Sequence, residues 1–174
     1  MLKTLQNAFR VKEVRQKLVY TFMMLVVFRI GSQMPIPGAN TSFFDELFAR
    51  YNNDAFGFLN SITGGSLTNM SVFALSITPY ITSSIIMQLL TIAIPKLEEM
   101  QRDGEEGRKK ITAITRYVTV GLALFESVAM AIGFGRQGLI PNMNFFKGLT
   151  VVACLTAGSA MLMWIGERIT EKGV

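Results

Sequence analysis

The stretch FALSITPYITSSIIMQLLTIAIP, residues 73–95, carries no charged side chain, yet it holds a proline at Pro79 and hydroxyls along its length. An uncharged run of this length is long enough to cross the ~30 Å of hydrocarbon in a bilayer, which takes ~20 residues of helix. Three further apolar segments, 18–36, 117–135 and 148–166, have similar length. Half of the 174 residues are hydrophobic and 17% are charged, with a mean hydropathy of +0.37. A soluble domain carries nearer a quarter charged, so a soluble helical bundle accounts poorly for this chain. The expected class is an all-α polytopic membrane protein with four transmembrane helices.

On a wheel turning ~100° per residue, Ser76, Tyr80, Ser83, Ser84, Gln88 and Thr91 occupy one arc of about 140°. Leu75, Thr82, Ile86, Leu89 and Leu90 fall largely opposite, and Pro79 is expected to bend the helix. A polar arc on a spanning helix faces protein or water rather than lipid. Two arrangements satisfy it. Ser and Thr can act as small residues in helix packing, or the arc can line a watery path. In the second case Ile77 and Ile81, four apart at the edge of the arc, form a dry collar of the kind that gates by excluding water.

The uncharged character begins before this helix. Residues 55–95 contain no Asp, Glu, Lys or Arg. As one helix they would extend roughly 60 Å, about twice the hydrocarbon thickness. Broken by Gly64–Gly65, the segment 55–70 reads as a short re-entrant piece before a span at 71–95. Irregular backbone at that depth is tolerated where it is buried in protein or lines a cavity. An ordinary loop without charge is the alternative.

Basic residues set the orientation. The tail 1–17, read as an amphipathic surface helix, has Lys3, Arg10, Lys12, Arg15 and Lys17, and the connection 96–116 has Lys96, Arg102, Arg108, Lys109, Lys110 and Arg116. The alternating loops 37–54 and 136–147 hold only Arg50, Arg136 and Lys147. The positive-inside rule then places the N-terminus, 96–116 and the end at 167–174 in the cytoplasm. Gly104, Gly107 and Lys109 do not have phosphate-loop spacing. The basic tip Arg108–Lys109–Lys110 is either a solvated loop or a contact for anionic lipid or ribosomal RNA.

Catalysis is not expected. There is no histidine, no HExxH pattern, and Asp45, Asp54 and Asp103 lie in loops. No cofactor or metal site is expected, and Cys154 is alone. Glu126 is the one acid inside a span, a position that is costly and usually functional. It leaves open a second reading, half of a small-solute or proton-coupled transporter.

Four blocks, FRIGSQMPIPG (28–38), FALSITPYITSSIIMQLL (73–90), EEGRKKITAITRY (105–117) and MLMWIGERITEKGV (161–174), together resemble the SecY family, the channel subunits of bacterial protein translocases. The resemblance implies a ten-helix inverted-repeat channel in the bacterial cytoplasmic (inner) membrane, of which these residues are the first four spans, an N-terminal fragment. It implies that Ile77 and Ile81 belong to the pore ring. It matches Phe56, Gly57, Phe58, Leu59, Asn60, Ser61, Ile62, Thr63, Gly64, Gly65 and Ser66 to the plug. Thr82 and Glu126 match the lateral gate, where many bacterial relatives have glutamine at the second position. The implied partners are SecE, SecG, SecA, the ribosome, signal peptides of translocating proteins and membrane lipids.

Overall fold

The computed structural model describes residues 11–44, 46, 58, 61, 65, 66, 68–141 and 144–173. Residues 1–10 of the expected surface helix lie outside them, as do Phe56, Gly57, Leu59, Asn60, Ile62, Thr63 and Gly64 of the plug segment. The described chain is helical: α1 (Lys12–Gly31), α2 (Thr78–Ala93), α3 (Pro95–Arg102), α4 (Glu105–Phe134) running into a π-helical turn (Gly135–Leu139), and α5 (Phe145–Lys172). Among the described residues the one extended pairing is an isolated bridge between Pro35 and Ser71.

Two helices, Glu105–Leu139 and Phe145–Lys172, are each long and apolar enough to cross a membrane. A third crossing is available if α2 and α3, bent by 101°, count as one. In α1 every 18-residue stretch takes in Arg15, Lys17 and Arg29, so this helix does not meet the same criterion. Residues 12–17 continue directly into it without a break.

Pro79 starts α2 and does not bend it. A proline in the first turn removes a donor that has no helical partner there, and its fixed φ suits the position. The helix begins at Thr78, and residues 68–77 form turns on either side of the Ser71 bridge, in which Met70 (φ 44°) and Ser76 (φ 55°) take left-handed backbone. The sharp bend falls instead at Ile94–Pro95.

The connection expected at 96–116 is helical on both sides of a tight reversal at Asp103–Gly104. Gly104 supplies a φ of +74°, and a Cβ at Gly107 would overlap the Met100 carbonyl oxygen. These two glycines therefore serve the turn, which is a physical reason for a pattern that superficially suggests a phosphate loop.

α4 lies between α2 and α5. Its buried positions Thr115, Thr119, Ala123, Ser127 and Ala131 recur every four residues, a stripe of small side chains that lets helix backbones approach closely. At the end away from the basic reversal, the connections form a packed cap. Ile36 N donates to Met70 O (2.9 Å), Val72 N to Met34 O (3.0 Å) and Asn40 N to Leu139 O (2.8 Å). Phe43, Phe44 and Phe134 meet edge to face, with centroids 5.2 to 5.9 Å apart. Ile36, Met70, Leu139, Ile140, Val151 and Leu155 complete this core.

Candidate conduit-lining helix and its surroundings

α2 buries Pro79, Ser83, Met87 and Thr91. The hydroxyls of Ser83 and Thr119 meet at 2.5 Å across the α2–α4 contact. Ser83 Oγ also lies 3.0 Å from Tyr80 O, and Thr119 Oγ1 2.7 Å from Thr115 O. Two protons thus serve three contacts, and both buried hydroxyls are satisfied. A second pair, Ser127 and Thr156 at 3.0 Å, joins α4 to α5.

The polar arc of α2 is therefore divided. Ser83 serves helix packing. Tyr80, Ser84 and Gln88 line an open cleft of about 350 Å³ together with Gln101, Arg108 and Thr112. Thr91, buried with its hydroxyl donating to Gln88 O at 2.7 Å, belongs to the cleft side. Beside this cleft stands an apolar face that no other described residue covers: Ile81 is 51% exposed, Leu89 61% and Ile92 80%. Leu89, which the wheel sets opposite the polar arc, thus shares the open side with Ile81. The two lie about 80° apart on the regular turns of α2, and the open face runs from the edge of the polar arc round towards its far side.

Ile81 N donates to Ile77 O at 3.1 Å, so the two isoleucines are one turn apart. Their surroundings differ. Ile77 is half-buried and lines an apolar pocket of about 230 Å³ with Met24, Phe28, Leu162 and Ile165, whereas Ile81 projects into the open.

Thr82 and Glu126 are both half-buried, and neither has a hydrogen bond or ion pair among the described residues. Glu126 lies seven residues past Thr119 on α4, about 10 Å along the axis, while Thr82 adjoins Ser83. Of the expected plug, Phe58 and Ser61 are exposed, Gly65 has φ +82°, and Ser66 is buried with its carbonyl accepting from Ser71 N at 2.9 Å.

Arg108 and Lys109 line a second cleft, of about 430 Å³, with Glu105, Thr112, Arg116 and Glu171, and Lys110 is exposed beside them. Arg116 Nε donates to Glu167 Oε1 at 2.8 Å. This pair was not singled out from sequence, although both members sit inside blocks that carry the family resemblance.

Taken together, these features define a polytopic α-helical membrane protein in which one polar-sided helix packs by its hydroxyls and leaves an isoleucine-bearing face open. The SecY family profile matches residues 71–174. The chain belongs to the SecY family. The protein translocase subunit SecY of Halalkalibacterium halodurans is 48% identical over 177 residues, covering all of this chain and 40% of that relative. SecY of Staphylococcus aureus (strain NCTC 8325 / PS 47) is 44% identical, with 41% of it covered, and SecY of Streptomyces galbus 40% identical, with 43% covered. The chain spans about two fifths of the length of these relatives. In fold it is similar to Sec61 in the canine ribosome-channel complex from the endoplasmic reticulum, with a TM-score of 0.57 at 19% identity over 92% of this chain and 33% of that one. A structure described as that of a protein conducting channel matches to the same extent.

Proposed function

We propose that these residues form part of the wall of a protein-conducting channel. It passes secretory proteins across the bacterial cytoplasmic membrane and releases membrane proteins laterally into it. The observation that carries this reading is the division of α2 into a polar cleft lined by Tyr80, Ser84 and Gln88 and an adjoining open face that begins at Ile81. A passage wall needs wettable surface for a hydrated chain, and a closed state needs an apolar constriction that water leaves.

In this reading Ile77 and Ile81 contribute to the constriction, residues 56–66 form the plug beneath it, and Thr82 with Glu126 belongs to the lateral gate. The N-terminus faces the cytoplasm, since Lys12, Arg15, Lys17 and the Arg108–Lys110 cluster share one side. α1 then crosses as well, with Lys17 and Arg29 reaching towards opposite interfaces. Arg108, Lys109 and Lys110 meet acidic partners there, such as lipid headgroups or ribosomal RNA. SecE, SecG, SecA and the ribosome are the partners consistent with the family.

The test uses the complete channel with a translocating polypeptide arrested mid-passage. Cysteines introduced at Ile81 and at Gln88 are expected to cross-link to the arrested chain. A cysteine at Phe22, on the open side of α1, is expected not to. Equal cross-linking at all three positions, or none at 81 and 88, would contradict the assignment.

A further inference from the structure

Three glycines on α1 and α5 stand where the connector 72–77 touches those helices. A Cβ at Gly158 would overlap the Val72 carbonyl oxygen, and one at Gly31 would overlap the Phe73 ring. Phe73 is stacked on Phe28 at 5.9 Å with the ring planes 2° apart. The third contact is lighter: a Cβ at Gly166 would lie 3.3 Å from Ile77 Cδ1, inside the ~3.5–4.0 Å optimum for two carbons.

The connector has little room to retreat. Val72 N is bonded to Met34 O (3.0 Å) and Phe73 N to Ser71 Oγ (3.2 Å). Ser76, at φ 55°, closes a turn through its N–H to Phe73 O at 2.8 Å. Beyond those fixed points the Ile77 side chain lines the apolar pocket with Met24, Phe28, Leu162 and Gly166, its Cδ1 beside the bare backbone of Gly166.

We infer that Gly166 is a positioning residue for Ile77: the missing side chain on α5 sets how far the Ile77 δ-methyl stands from the conduit, while Gly31 and Gly158 hold the backbone that carries it. The inference rests on the reading of Ile77 as part of the constriction. It assigns to α5, on which that reading places no residue of the constriction, control over the seal.

The atoms in contact dictate the test. Gly166→Ala adds one methyl against Cδ1, and Ile77→Val removes Cδ1. In vesicles carrying the complete channel with its partner subunits and no client, Gly166→Ala is expected to raise the resting ion leak several-fold. Ile77→Val, a change in the constriction itself, sets its own baseline leak, and the double variant is expected to stay at that baseline, a coupling that two independent effects would not produce. An unchanged leak in Gly166→Ala, or the same rise in both backgrounds, overturns the inference. If Gly166→Ala alone fails to assemble, recovery of assembly in the double variant supports the socket, and failure of both variants overturns it. Ile77→Ser separates the two claims. A leak in Ile77→Ser with a silent Gly166→Ala sinks the positioning role alone, whereas a silent Ile77→Ser sinks the constriction reading on which it rests.

Discussion

Arg116 Nε and Glu167 Oε1 are 2.8 Å apart, joining the N-terminal half of α4 to the last turns of α5. Glu167 is the more enclosed partner, its side chain 13% exposed against 49% for Arg116. With one partner half in the open, the Coulomb gain is screened and the pair contributes no more than about 1 kcal/mol. A double-mutant cycle of Arg116→Gln and Glu167→Gln, read by thermal unfolding of the complete channel, is expected to return a coupling of that size that shrinks in high salt. A coupling several times larger and insensitive to salt would contradict the geometry.

The Ser83–Thr119 hydroxyl pair leads to a second expectation. Interhelical hydrogen bonds in membranes average ~0.6 kcal/mol, so Ser83→Ala should lower stability by roughly that amount. Ser83→Leu must force a branched side chain into a contact built for a hydroxyl, at a cost of about 1–3 kcal/mol. Unfolding of the two variants in detergent checks the order. A Leu variant as stable as the parent would mean that α2 and α4 are not packed through this face.

Much of this arrangement is legible in the sequence. The apolar lengths and the four family blocks point to the membrane and the family. The conformation of residues 71–77 is not legible there. The helical period reads smoothly from Phe73 to Ile94, yet Val72 and Phe73 are drawn onto Gly158 and Gly31, and that tertiary contact interrupts the helix until Pro79 restarts it. Two consequences follow from the same cause. Pro79 opens the helix and does not kink it, and Ile77 and Ile81 have different neighbours although they lie one turn apart. The division of the hydroxyls is equally hidden, because Ser83 and Ser84 look alike until Thr119 is brought against one of them.

Orientation can be tested by labelling. With the N-terminus in the cytoplasm, a cysteine at Lys109 should react with a membrane-impermeant maleimide only from the cytoplasmic side, and one at Pro141 only from outside. The two positions flank α4, so the prediction follows if that helix crosses once. Reaction of both from the same side would mean that α4 does not span.

The central claim is that the start of α2 forms part of a dry seal, and resting ion leak tests it most directly. Water leaves a narrow passage because apolar walls offer it no hydrogen bonds, and a hydroxyl restores them. In the complete channel without a client, Ile81→Ser and Ile77→Ser are each expected to raise the leak and to let more weakly apolar signal sequences open the channel. Leu90→Ser, at a half-buried position off the open face, is expected to lower abundance without raising the leak. If serine at 77 and at 81 behaves as it does at 90, those isoleucines are packing residues and the channel wall lies elsewhere.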